Sequence, residues 1–272
     1  MIERFVIQEG LYDPGIFKAF FLAGGPGSGK SYVTSRITPG LGLKNVNSDT
    51  AFENALKKAG LSLDMPASQE KERDEIRARS KSLTAKRLDL YIMGRLGLVI
   101  DSTARDVNKI ETGLSALKRL GYDCYMIFVN TSLDVALARN ASRDRTVPVD
   151  IVKRSHKQIQ QNMGRLQRMF GMKNFIVIDN NKANENVLDK SYKMVRKIVK
   201  RPVGNHVAKM WMRKELERKQ AIRENAPNTA DAMKRYKAGK AGFTDKAHLK
   251  AKGLIPRADG TKRKSDKYKW EL

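Results

Sequence analysis

Eight consecutive residues, Gly24-Gly25-Pro26-Gly27-Ser28-Gly29-Lys30-Ser31, spell the pattern G-x-x-x-x-G-K-[ST]. A chain carrying this pattern between a strand and a helix has few folds open to it. That setting is met: Phe17 to Ala23 is an apolar run that reads as a buried strand, and Ser31 to Ile37 reads as the start of a helix. Glycines let the backbone turn tightly and bring N–H groups against phosphate oxygens. The first helical turn adds its unpaired N–H groups and the positive end of its dipole. In this reading Gly25, Pro26, Gly27, Ser28, Gly29, Lys30, Ser31 and Tyr32 contact ATP. Lys30 would reach the β- and γ-phosphates, and the Ser31 hydroxyl would hold Mg²⁺. The competing reading is a glycine-rich turn without a ligand.

Four further apolar runs, Leu43–Asn47, Leu96–Ile100, Tyr122–Val129 and Phe175–Ile178, read as strands. Between and after them, helical stretches are expected at Thr50–Ala59, Glu70–Gly94, from the Asp106 cap to Leu120, from Ser132 through Arg139, at Val149–Phe170 and at Glu185–Lys200. Ile76, Leu83, Leu90 and Met93 are the expected buried stripe of the long helix. Such alternation predicts an α/β three-layer sandwich around a five-stranded, mainly parallel sheet, with ligands at the carboxyl ends of the strands.

That rule gathers Asp49, Asp101 and the segments after strands four and five near the glycine-rich loop. Asp49 sits where a substrate hydroxyl could meet a γ-phosphate; it either takes the hydroxyl proton or simply caps the next helix. Asp101 ends a Leu-Gly-Leu-Val-Ile-Asp run resembling a Walker B strand, and could serve Mg²⁺ or hold Ser31. Arg105, just beyond, could face substrate. Arg139, Arg143 and, more weakly, Arg145 form a basic segment after strand four. Planar guanidinium groups match charge developing on a transferring phosphoryl group, so this segment could be a lid; the alternative is a solvated helix end.

The charge balance is uneven. Of a formal +25, Lys190 to Leu272 carries 25 Lys+Arg against 8 Asp+Glu, leaving +8 for the first 189 residues. Two parts are therefore expected, a nucleotide-binding domain over 1–200 and a basic, mainly helical extension over 201–272. Within the extension, Val203 to Asn225 reads as a helix with an apolar stripe of Val207, Met210, Trp211 and Leu216. Aromatics interleaved with lysine farther on, through Tyr236, Phe243, Tyr268 and Trp270, suit a nucleic-acid partner. A tail that only aids solubility, or docks on its own domain, is the bland alternative. One cysteine, Cys124, excludes an intrachain disulfide and suits a reducing compartment. The opening residues lack the layout of a signal peptide and no run is long enough to span a membrane, so a cytoplasmic location is expected. The histidines, His156, His206 and His248, show no metal-ligand spacing.

Three pieces together resemble the P-loop kinase branch that includes phage-type polynucleotide 5′-kinases and zeta toxins: the Gly24–Ser31 loop, Asn45-Val46-Asn47-Ser48-Asp49, and Arg139-Asn140-Ala141-Ser142-Arg143 followed by Val147-Pro148-Val149-Asp150-Ile151-Val152. The resemblance spans about residues 17 to 180. It implies a P-loop kinase sandwich, Asp49 as general base, Lys30 and Ser31 on phosphate and Mg²⁺, Asp101 on the substrate side, and Arg139 and Arg143 in the lid. It further implies transfer from ATP to a hydroxyl of nucleic acid at a strand end or on a base, with DNA favoured over RNA as the partner and RNA left open. Phage kinases acting on 5-hydroxymethyluracil within DNA resemble the same branch. A zeta-type nucleotide-sugar or nucleoside kinase, and a non-catalytic nucleic-acid-binding protein with a relic loop, are the alternatives. Where polynucleotide kinases place an acid and an arginine after the base, this chain has Thr50-Ala51-Phe52, and the Gly60–Lys81 insertion is long.

Overall fold

Strand β1 (Lys18–Ala23) is buried along its whole length, because helices cover both faces of the sheet it centres. The computed structural model describes residues 11–63, 66–143, 146–182, 184–224 and 227–265, and Arg145, Tyr268 and Trp270 lie outside them. The helix α1 (Lys30–Ile37) leads to β2 (Lys44–Val46), and α2 (Ser48–Lys58) and α3 (Glu70–Met93) lead to β3 (Leu98–Asp101). Then come α4 (Val107–Arg119), β4 (Asp123–Asn130), α5 (Leu133–Ala141), α6 (Val149–Phe170), β5 (Phe175–Asp179) and α7 (Glu185–Val199). The strand order is β2-β3-β1-β4-β5 and every pairing is parallel, which is the P-loop kinase α/β arrangement.

Strand alternation sorts the core into two layers. Phe20 and Leu22 join Val33, Ile37, Ile127, Ile178 and Val195 on the face of α1 and α7. Ala19 and Phe21 join Leu98, Leu114, Phe128, Ile159 and Phe170 on the face of α4 and α6. The caps follow the sequence: Asp106 accepts from the Lys109 N–H at 3.0 Å, and Ser132 from the Val135 N–H at 3.4 Å. Cys124 is buried, which pushes its thiol up to about 12. None of the described helices is long and apolar enough to cross a membrane.

The long helix forms as expected, but its buried face does not. Leu83, Leu90 and Met93 are exposed, the last at 75%, while Leu88, Tyr91 and Ile92 pack on the core. At 100° per residue those two sets lie on roughly opposite sides of α3. The inward face continues toward the helix start through Thr84, buried Ser80 and Arg77. It is polar there, so an apolar stripe sought over the whole helix selects the wrong side.

Lys18 is fully buried and pairs with Asp123 at 2.9 Å. The same carboxylate accepts the Gly204 and Asn205 N–H groups at 2.7 and 3.0 Å, fixing the chain beyond α7. Lys18→Ala would leave Asp123 without its counter-charge, and a loss of about 3–5 kcal/mol in urea unfolding is expected. A loss under about 1 kcal/mol would show that the pair does not hold the strand bottom together.

The chain divides into two compact units, Met1–Met212 and Arg213–Leu272, so the division falls within α8 (His206–Glu224). Early in α8, Ala208 is fully buried and Trp211 meets Phe17 edge-on at 5.4 Å. Val207, Met210 and Leu216, expected beside Trp211 in the apolar stripe, are exposed instead. In the second unit α9 (Thr229–Lys237) packs on α10 (Phe243–Ala251) through Ala232, Leu249 and Ile255.

Candidate active site

The glycine-rich loop leaves β1 at the centre of the sheet, and its shape depends on residues with no Cβ. A side chain at Gly27 would collide with the Ala136 carbonyl of α5, and one at Gly29 with the Asn180 amide. Gly27 and Gly29 also hold positive φ, at 78° and 81°. The loop is braced from strands four and five: Thr131 Oγ1 and Asn180 Nδ2 donate to the Ser28 carbonyl at 3.2 and 2.8 Å. Lys30 folds back to donate to the Gly24 carbonyl at 2.7 Å. Burial lowers its pKa, with Asp101 and Asp49 opposing that shift and Arg143 adding to it.

Lys30, Ser31, Asp49, Asp101, Arg105 and Arg143 all line one cleft of about 590 Å³, together with Gly25 and Pro26. Asp49 lies in the first turn of α2; the cap of that helix is Asn47, whose side chain accepts the Asp49 N–H at 2.7 Å. The Asp49 carboxylate is thereby free of capping. It receives Arg77 of α3 at 2.7 Å, and that guanidinium lies over the Phe52 ring, 4.6 Å from its centroid. Asp101 accepts from Asn47 Nδ2 at 2.8 Å through one oxygen, while its other oxygen is buried with no hydrogen-bond partner among the described residues. Burial raises the Asp101 pKa against the pull of Lys30, with Asp49 adding to the rise. The Ser31 hydroxyl and that unpartnered carboxylate oxygen are hard oxygen donors of the kind Mg²⁺ takes.

Arg139 projects from α5, the helix packed on Gly27, and its Nη1 lies near the Cβ position of Gly29. That nitrogen is buried with no hydrogen-bond partner among the described residues. The next residue, Asn140, pairs with Val147: its amide donates to the Val147 carbonyl at 2.7 Å and accepts the Val147 N–H at 3.0 Å. The pair ties the end of α5, just before Arg143, to the residue two before α6. Arg105 donates to Ser155 Oγ at 3.4 Å. Its loop is held by Asn162, which donates to the Ala104 and Arg105 carbonyls at 3.0 and 2.9 Å. Ala104 carries a φ of 60°, a conformation that persists only under such restraint. Tyr32 stands apart from the cleft, exposed on α1 beneath Arg36.

Arg77, Asn162, Asn180 and Thr131 are not among the site residues that the sequence points to, and Asn140 enters there only through the lid motif of the resemblance. Thr131 and Asn180 follow strands four and five at their carboxyl ends, the one signal that pointed to them. With a phosphate-binding loop, a carboxylate across the cleft and arginines above, the arrangement can hold a nucleoside triphosphate and present its terminal phosphate to an acceptor.

A family model described as an AAA domain matches residues 20–166, more than half of the chain. Among solved structures, a shikimate kinase from Acinetobacter baumannii in complex with shikimate is 18% identical, over 68% of this chain and 94% of its own, with a TM-score of 0.41. A gluconokinase from Sinorhizobium meliloti 1021 is 15% identical over 68% and 94%, with a TM-score of 0.42. A chain of the Pnkp1/Rnl/Hen1 RNA repair complex is 17% identical over 55% of this chain and 46% of its own, again at 0.42. No curated protein matches the chain.

Proposed function

The chain belongs to the AAA domain family, and on that premise we propose that it is an ATP-dependent kinase transferring the γ-phosphate to a hydroxyl of nucleic acid, DNA rather than RNA. The observation that carries this reading is the meeting of Lys30, Asp49, Asp101 and Arg143 in one cleft at the carboxyl ends of the strands. In this reading the loop amides and Lys30 bind the triphosphate. Asp49 accepts the proton of the attacking hydroxyl, and Arg77, committed to one of its oxygens, orients the carboxylate. Arg139 and Arg143 stabilise the charge spread over the equatorial phosphoryl oxygens. Arg105 faces the acceptor. Ser31 and Asp101 would hold Mg²⁺. Bound there, the metal neutralises charge on the β- and γ-phosphates.

The nucleic-acid acceptor is supported by charge. Residues 213–272 hold 18 Lys+Arg against 8 Asp+Glu, a surplus without use on a small neutral substrate. The test is transfer from γ-labelled ATP to a panel of 5′-hydroxyl DNA, 5′-hydroxyl RNA, DNA bearing hydroxymethylated bases, nucleosides and sugar nucleotides. Label in DNA supports the reading, and digestion to nucleosides tells a strand end from an internal base. Label confined to small molecules would overturn the polymer acceptor.

Counterion release gives a further expectation. Affinity of the full chain for DNA should fall by roughly 10³-fold between about 50 and about 200 mM salt. Removing 213–272 should weaken DNA binding while leaving ATP binding unchanged; equal retention on a DNA column after truncation would count against the extension as the contact.

A further inference from the structure

Among the described residues, the second unit's core cluster holds three buried apolar side chains with Met233 packed against them, and the unit's one phenylalanine lies outside that cluster. Phe243 is 89% exposed, the most exposed large apolar side chain among the described residues. Burying the ring would have added apolar area to that cluster, so its exposure does not serve the stability of the unit.

The ring is also held on a rigid support. Helix α9 ends in a Schellman turn: the Gly239 N–H donates to the Tyr236 carbonyl at 3.1 Å and the Lys240 N–H to the Arg235 carbonyl at 2.8 Å. Gly239 takes the left-handed conformation that turn requires, at φ 71°. Two residues beyond Phe243, Asp245 is gripped by Arg235 through two hydrogen bonds, at 2.8 and 2.6 Å, tying the start of α10 back to α9. Ala241 is buried between these fixed points. The backbone on both sides of the aromatic is therefore set before any partner arrives, which lowers the ordering cost of a contact there.

The surroundings are cationic. Lys246 and Lys250 follow Phe243 at the helical spacing i+3 and i+7, on the same face of α10, and Lys240 stands three residues before it. Over residues 227–265 there are 11 Lys+Arg and 3 Asp+Glu, and one of those acids, Asp245, is taken up by Arg235. An apolar protein surface would meet one isolated ring among lysines. An unpaired nucleobase offers a flat π-face for the ring and a neighbouring phosphate for each lysine.

Resting on the reading of the extension as a nucleic-acid contact, we infer that Phe243 is the base-stacking anchor of a single-strand binding site, with Lys240, Lys246 and Lys250 on the phosphates. The extension then favours unpaired nucleotides over duplex.

The test uses the full chain, with a labelled oligodeoxythymidine and a labelled duplex of equal length, read by fluorescence anisotropy at fixed salt. Phe243→Ala should weaken single-strand binding about ten-fold and duplex binding less than about two-fold. Phe243→Trp should bind the single strand at least as tightly as the native chain. Phe243→Leu, which keeps the apolar bulk and loses the π-face, should behave like the alanine variant. Circular dichroism of each variant should match the native chain, since the side chain lies outside the core. Native affinity in Phe243→Leu would mean apolar docking, and equal losses on both probes a general effect; either overturns the inference while leaving the extension a nucleic-acid contact. Binding of neither probe by the native chain would overturn that underlying reading as well.

Discussion

Asp49→Asn should lower the rate of phosphoryl transfer by about 10²–10⁴-fold, the usual contribution of a positioned general base, and leave the ATP dissociation constant within about two-fold. The substitution keeps shape and removes charge. Asparagine can still accept from Arg77 and still sits in the first turn of α2, capped by Asn47, so the cleft keeps its form. The loop that binds the triphosphate is braced by Thr131 and Asn180 and has no hydrogen bond from Asp49 among the described residues. Rate and binding should therefore separate. Arg77→Ala is the companion: with the carboxylate present but no longer oriented, turnover should fall while ATP affinity holds, and Arg77→Lys should recover part of the loss. A variant that lost ATP binding in step with turnover would instead place Asp49 in nucleotide binding.

Removing a lid guanidinium should cost a comparable amount. Arg143→Ala is expected to lower transfer by about 10³-fold, the lower end of what an arginine aimed at a transferring phosphoryl group supplies. Arg139→Ala should behave similarly, since its Nη1 is buried near Gly29 with no hydrogen-bond partner among the described residues. Lysine at either position should rescue poorly, because a point charge cannot match two equatorial oxygens at once. Asn140→Ala separates position from charge: both arginines remain, but the two hydrogen bonds to Val147 beside them are lost. Its transfer rate should fall with the ATP dissociation constant little changed. A full rate in Arg143→Ala would remove the lid from the chemistry.

Much of this arrangement was legible in the residues. The glycine pattern fixes strand, loop and helix together, because no other sequence turns there without a Cβ collision like those at Gly27 and Gly29. The strands were legible because both sheet faces are covered, so their apolar runs are nearly continuous. Asp49, Asp101 and Arg143 reached the cleft by a topological rule, carboxyl ends of parallel strands, that needs no contact information. What stayed hidden depended on packing between elements. Arg77 is 28 residues beyond Asp49 and meets it only because the inward face of α3 is polar near its start and apolar near its end. Scanning that helix for one apolar stripe reached Leu83, Leu90 and Met93, which face solvent. Asn162, like Asn180, acts on main-chain carbonyls, a role that leaves no pattern in side-chain chemistry along the chain.

The most direct measurement is a single-turnover reaction with enzyme in excess over γ-labelled ATP, in the presence of hydroxyl-bearing DNA, with native chain and Asp49→Asn side by side. The expected result is label moving from ATP into the DNA as an alkali-stable phosphate ester with the native chain, and label remaining on fully bound ATP with the variant. Equal labelling by both proteins, or ATP bound by the native chain and never passed to any hydroxyl, would contradict phosphoryl transfer across this cleft.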